Sequence, residues 1–63
     1  MFVWCYFKNN KCIKTQIESG SSKLSPMDVM ILKANSVTRV LCDIPNNFDP
    51  KGKTNEELRQ YLR

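Results

Sequence analysis

Residues 2–17, with the sequence FVWCYFKNNKCIKTQI, predict a β-hairpin. Their first half is rich in aromatic and β-branched residues, which favour strands, and their second half alternates between apolar and polar residues. Between the halves lie Asn9 and Asn10, and asparagine tolerates the positive φ angles of a two-residue type I′ turn. We therefore expect two antiparallel strands that turn at these two residues.

A two-residue turn with regular pairing places Tyr6 opposite Ile13 and divides the hairpin residues between two faces. One face then carries Phe2, Trp4, Tyr6, Ile13, Thr15 and Ile17. The other carries Val3, Cys5, Phe7 and Cys12, beside Lys14 and Gln16. We expect the first face to be the core, because it combines aromatic rings with β-branched residues.

The following segment predicts a short helix and a third strand. Ser25-Pro26-Met27-Asp28 is a capped helix start, because serine is a good N-cap, proline suits the first helical position and aspartate completes a capping box. This helix should end at Lys33 or Ala34 and pack against the sheet. A third strand should cover residues 37–44, since Pro45 cannot continue it.

A second capping box, Thr54-Asn55-Glu56-Glu57, predicts a C-terminal helix. The element order is therefore ββαβα, and the fold class is α+β with a single small domain over residues 1–63. Residues 1–44 form its hairpin, helix and third strand, 45–53 a loop, and 54–63 the C-terminal helix. The core expected between the sheet and the first helix consists of Trp4, Tyr6, Ile13, Ile17, Val29, Leu32, Val40 and Cys42.

Size and residue types exclude several classes of protein. A chain of 63 residues has room for one compact domain. Its apolar runs are too short for a membrane span or a signal peptide, so we expect a cytoplasmic location. The chain has no histidine and no recognisable acid–base or nucleophile pair, so we expect neither catalysis nor a cofactor. The spacing of Cys5, Cys12 and Cys42 does not match a zinc site, and we expect three free thiols.

The net charge of +4 is concentrated in the first two thirds of the chain. The basic residues there are Lys8, Lys11, Lys14, Lys23, Lys33 and Arg39, and the acidic ones are Glu18 and Asp28. This imbalance favours an anionic partner, which is either nucleic acid or an acidic protein surface. Ordinary solubility charge is the alternative interpretation.

The layout of hairpin, helix and third strand resembles the family of the small phage T7 inhibitor of bacterial RNA polymerase. The resemblance is carried by Val37-Thr38-Arg39-Val40, with Cys42 just after it, and covers residues 2–44. In that family, arginines on the third strand contact the polymerase. Arg39 matches the first of them, and Leu41 stands where the family has the second. The resemblance implies a small protein that binds a host protein complex, in the host cytoplasm.

These arguments predict a non-enzymatic binding module, a small phage-type inhibitor or adaptor that binds an acidic surface of a host protein complex. A basic nucleic-acid-binding accessory protein is the alternative, and a homo-oligomer is left open. Apolar residues on the sheet face away from the first helix, with Phe7 among them, would form part of an interface. The candidate partner-binding residues are Arg39, Lys8, Lys11, Lys14, Leu41 and Phe7.

Overall fold

A computed structural model describes residues 1–20 and 23–62 and has the predicted order ββαβα. Its elements are β1 (Phe2–Lys8), β2 (Lys11–Ile17), α1 (Pro26–Ala34), β3 (Thr38–Asp43), α2 (Asn55–Leu58) and a 3₁₀ turn (Arg59–Tyr61). The strands form one antiparallel sheet in the order β2-β1-β3. The α+β class is confirmed. Ser21, Ser22 and Arg63, which belong to the predicted loop and C-terminal helix, lie outside the described residues.

The hairpin turn is the predicted type I′ turn, since Asn9 and Asn10 have φ angles of 52° and 68°. Beyond the turn the predicted register is wrong. Phe7 pairs with Cys12 as expected, but Tyr6 pairs with Lys14 because β2 contains one extra residue, a β-bulge at Ile13. The bulge moves every later residue of β2 to the opposite face from the one that regular pairing predicts.

The predicted core face is also wrong, because the buried side chains come from the other face of β1. The core consists of Val3, Cys5, Phe7, Cys12, Cys42, Ile44 and Leu58, with Val40, Phe48 and Tyr61 packed against it. Of the residues predicted to be buried, Tyr6 and Cys42 are buried, whereas Ile13, Ile17 and Val29 are exposed. Trp4, Leu32 and Val40 are half-buried.

The polar ends of the aromatic side chains give the physical reason for this reversal. The Trp4 indole Nε1–H donates to Glu18 Oε2 at 2.7 Å, and the Tyr6 hydroxyl donates to Gln16 Oε1 at 2.8 Å. A buried indole or phenol needs such a partner, and the thiol-rich opposite face offers only weak ones. The side chains of that opposite face, Val3, Cys5 and Phe7, carry no N–H or O–H group that needs such a partner, and they fill the core.

The C-terminal segment, rather than α1, covers the core face of the sheet. On the side of β2, the Cys12 N–H donates to the Lys53 carbonyl at 2.8 Å, and the Gly52 N–H donates to the Cys12 carbonyl at 2.7 Å. On the side of β3, Leu62 forms an isolated antiparallel bridge with Cys42. The C-terminal segment therefore crosses the core face of the sheet, and its residue Leu58, in α2, is fully buried against that face.

The helix α1 has the predicted start but not the predicted packing. Ser25 caps it, and Asp28 completes the capping box. None of its nine residues is buried, so α1 contributes little to the core. No helix among the described residues is long and apolar enough to cross a membrane.

Replacing Leu58 with alanine should destabilise the fold by about 2–5 kcal/mol, because the deletion leaves a cavity under the sheet. That loss is comparable with the whole stability of a small domain. Urea denaturation followed by circular dichroism measures it. Met30→Ala is the control, because the Met30 side chain is 71% exposed and its loss should leave stability nearly unchanged. Equal unfolding midpoints for the two variants would show that Leu58 does not hold the C-terminal segment on the sheet.

Candidate functional site

The sheet face that points away from the core carries basic and aromatic side chains, and we name it the outer face. Strand pairing places Tyr6 between Lys14 on β2 and Arg39 on β3, and Trp4 between Gln16 and Leu41. The bulge in β2 brings Lys14 to this position, since regular pairing would have placed Ile13 opposite Tyr6. The outer face is therefore defined by Trp4, Tyr6, Lys14, Gln16, Arg39 and Leu41.

Arg39 is held on the outer face by the aromatic rings of β1. Its guanidinium carbon lies 3.8 Å from the centroid of the Trp4 ring and 5.9 Å from that of the Tyr6 ring. Contacts of this kind stabilise by about 0.5–1 kcal/mol when exposed and about 2 kcal/mol when desolvated. Because Arg39 is half-buried and its strand is rigid, the guanidinium is oriented before any partner arrives.

A second cation extends this arrangement across the sheet. The Lys14 ammonium nitrogen lies 5.4 Å from the centroid of the Tyr6 ring. Lys14, Tyr6, Arg39 and Trp4 thus form a continuous row over all three strands, which we name the basic row. Lys8 and Lys11 pair with each other at the exposed end of the hairpin, on the same face as Tyr6 and Lys14.

The structure brings five of the six predicted partner-binding residues to one face. Arg39, Lys14, Lys8 and Lys11 supply its cations, and Leu41 lies half-buried opposite Trp4. Phe7 does not belong to this surface, because it is only 6% exposed and packs in the core. Its placement follows from the reversal of the hairpin faces.

Sequence reasoning missed an exposed apolar surface on α1. Met27, Met30 and Ile31 are 70%, 71% and 52% exposed, and together with Ala34 they have the spacing of one helix face. We name these four residues the α1 stripe. The signal was present in the sequence, since α1 is apolar around much of its circumference. We interpreted that pattern as packing on the sheet, whereas only part of the helix faces the sheet.

A cleft of about 330 Å³ separates α1 from the outer face. Its polar lining includes Tyr6, Lys14, Gln16 and Lys23, and its apolar wall includes Leu24 and Ile31. Ile31 also belongs to the α1 stripe, so the cleft and the stripe form one continuous surface. The arrangement can hold an anionic group on its polar side and apolar groups on its helical side.

The three cysteines are free, as predicted, and all are buried in the core, although Cys5 and Cys12 were predicted to lie on the face away from it. Burial raises the pKa of the Cys5 thiol far above its ordinary value of 9.0, and the neighbouring Cys42 and Cys12 thiols raise it further. Burial likewise raises the pKa of Cys42. The Cys5 and Cys42 thiols therefore stay protonated at neutral pH, which makes them poor nucleophiles. Within residues 1–20 and 23–62, no group of cysteine or carboxylate side chains is placed to hold a metal ion.

All three thiols should resist alkylation by iodoacetamide in the native protein at about pH 8, because their side chains are buried from the reagent. For Cys5 and Cys42 the raised pKa adds to this protection, since the thiolate is the reactive form. Full alkylation should require denaturant, and mass spectrometry counts the modified sites. The raised pKa values also predict a loss of stability at alkaline pH. Folded Cys5 and Cys42 keep their protons when the unfolded thiols lose theirs, so the free energy of unfolding falls as the pH rises above about 9. Rapid native alkylation of any of the three would contradict their burial.

Removing the Arg39 guanidinium should cost about 0.5–2 kcal/mol of stability and change the fluorescence of Trp4, because the cation leaves the face of the ring. The change is Arg39→Gln, and urea denaturation followed by Trp4 emission measures both effects. Lys14→Gln is the matched control, since Lys14 is exposed and farther from its ring. The stacking of Arg39 on Trp4 would be refuted by an Arg39→Gln protein with unchanged stability and emission.

Comparison of the chain with protein-family models, curated proteins and solved structures found no match. The resemblance to the phage polymerase inhibitor therefore stays a prediction from the residues around Arg39.

Proposed function

We propose that this protein is a non-enzymatic binding module that docks onto another protein through the α1 stripe and the adjoining outer face. The observation that carries the proposal is the exposure of α1, whose nine residues include no buried side chain. An isolated helix of this length is marginal in water, and exposed apolar patches on small proteins mark interaction surfaces. A protein partner would supply the contacts that α1 lacks.

The α1 stripe has the chemistry of a helix that inserts into a groove. Met27, Met30, Ile31 and Ala34 follow the i, i+3, i+4, i+7 spacing by which amphipathic helices are recognised. Burying a Met or Ile side chain contributes about 1.5–3 kcal/mol. Methionine adapts its shape to an irregular apolar surface, which suits docking. The three large side chains of the stripe can therefore supply much of the affinity.

The charges of the outer face favour an acidic partner surface. Lys8, Lys11, Lys14 and Arg39 lie on one face, so their fields add and increase the rate of encounter with an anionic surface. The finer proposal is a small phage-type inhibitor or adaptor of a host protein complex. It is supported by the position of Arg39 on β3. Arg39 lies on the outer face, whereas Cys42 of the same strand lies on the core face.

Nucleic-acid binding has weaker support. Unpaired bases stack on exposed aromatic faces of a sheet, but the Trp4 ring lies under the Arg39 guanidinium and the Tyr6 ring lies near Lys14. The lysines could still contact phosphate, without sequence specificity. The apolar α1 stripe has no role in phosphate binding, and this favours the protein partner.

Photocrosslinking tests the proposal directly. Met30 is replaced with p-benzoyl-phenylalanine in cells that make the protein, and irradiation should link it to a specific protein, because α1 lies in the interface. Asn47, an exposed residue of the 45–53 loop, is the matched control position and should give no specific product. The product should withstand nuclease and disappear when Ile31→Glu is added, since a charge on the stripe opposes docking.

Three results would contradict the proposal. Equal crosslinking from positions 30 and 47 would show that α1 is not a specific surface. A product that nuclease removes would favour the nucleic-acid alternative. Unchanged crosslinking in the Ile31→Glu protein, with its circular dichroism unaltered, would show that the apolar stripe does not bind.

A further inference from the structure

We propose that the cleft between α1 and the outer face accepts an acidic amphipathic segment of the partner, with its carboxylates beside Lys14 and Lys23 and its apolar side chains on the α1 stripe. This inference rests on the proposed function and specifies the chemistry of the partner. The segment is defined by two features, a row of apolar side chains and carboxylates that flank it.

The cleft carries positive charge that its own lining does not neutralise. Lys14 and Lys23 line it, and the acidic residue in its lining is Asp28. Asp28 Oδ2 already accepts hydrogen bonds from the Ser25 N–H at 3.2 Å and from the Ser25 hydroxyl at 2.9 Å. Asp28 is thus held at the start of α1, and its single charge offsets only one of the two lysines. An incoming carboxylate would therefore meet a lining with an excess of positive charge.

Neutral donors in the cleft also suit an anion. The Tyr6 hydroxyl donates to Gln16 Oε1, which fixes the orientation of the Gln16 amide group. Because that oxygen is used as an acceptor, the amide nitrogen is the atom that offers hydrogens to a ligand. Two ammonium groups and one amide then provide donors to carboxylate oxygens, and hydrogen bonds of this charge-assisted kind are the stronger ones.

The apolar wall distinguishes a protein segment from a small anion. Leu24 and Ile31 border the polar lining, and Ile31 continues the cleft into the α1 stripe. A phosphate or free carboxylate would leave this apolar surface in water. A segment with apolar side chains next to its acidic residues would cover both parts at once, which is the more favourable way to bury the surface.

A second copy of the chain fits this surface poorly. Two copies joined through the α1 stripe would bring Lys14 and Lys23 of each toward the same cations of the other. The chain has ten basic and six acidic residues, so a second copy adds to the positive charge. Like charges at an interface oppose association. The charge of the cleft therefore selects a different, acidic chain.

Selection from a random peptide library tests the inference without a choice of partner in advance. The full chain is immobilised, and the library is panned at about physiological ionic strength. Enriched peptides should combine apolar residues with Asp or Glu, because both parts of the surface contribute. Synthetic versions of the enriched peptides are then titrated by fluorescence anisotropy.

Charge reversal at the cleft provides the matched variants. Lys14→Glu with Lys23→Glu should weaken binding of the enriched peptides by about tenfold or more, equivalent to at least about 1.4 kcal/mol. Lys51→Glu, at an exposed position of the 45–53 loop away from the cleft lining, makes the same change in charge as Lys23→Glu alone and should have little effect. Circular dichroism confirms that each variant is folded. The single variant Lys23→Glu tests the charge of the cleft while the contact of Lys14 with Tyr6 stays intact.

The outcomes separate this inference from the proposed function. Enriched peptides that need Ile31 but contain no excess of acidic residues would overturn the inference and leave the proposed function standing. Enriched peptides that bind the charge-reversed and wild-type proteins equally would also overturn the inference and leave the proposed function standing. No enrichment would count against both. Binding of a labelled single-stranded oligonucleotide that is tighter than that of the peptides, and lost in Lys14→Glu with Lys23→Glu, would assign the cleft to phosphate instead.

Discussion

The rest of the structure depends on the packing of Leu58 against the thiol-bearing face of β1. A chain of this size can build only one core, and its central strand can bury one face fully. Leu58 is inaccessible to solvent, as are Cys5 and Cys42 beside it in the core. Backbone pairing of 52–54 with β2 and of Leu62 with β3 holds the covering segment in place. Once this side is closed, the opposite side of the sheet is left partly covered, with Tyr6 buried and Trp4, Arg39 and Leu41 half-buried.

The composition of the outer face follows from the burial of the other face of β1. Trp4 and Tyr6 keep apolar contacts with the sheet, while their polar ends bind Glu18 and Gln16. Their ring faces attract Arg39 and Lys14, which keep their charge near the surface. The aromatic face of β1, which regular strand pairing predicts to be the core face, thus supports a row of cations. The rings restrict the flexible basic side chains in the folded protein, so less conformational entropy remains to be lost when a partner binds.

The helix α1 covers the outer face incompletely, and the cleft and the apolar stripe are two consequences of the same arrangement. Its capping box makes the helix locally favourable, but a capped helix without a buried face gains little from the tertiary fold. Exposed methionines lower solubility and do not stabilise the monomer. Their exposure beside a cleft in which two lysines face one carboxylate is the physical basis for proposing an acidic, amphipathic partner.

Local features were predictable from the sequence because local interactions create them. The positive φ angles of Asn9 and Asn10 and the capping boxes at Ser25 and Thr54 depend on residues within a few positions, and Arg39 falls on the face opposite Cys42 by strand alternation alone. The face that becomes the core was not predictable in this way. A bulge of one residue inverts the faces of β2, and the segment that covers the sheet lies far along the chain at Leu58. Because both faces of β1 are apolar, only tertiary packing could select the core, and that selection placed Phe7 inside and Trp4 beneath Arg39.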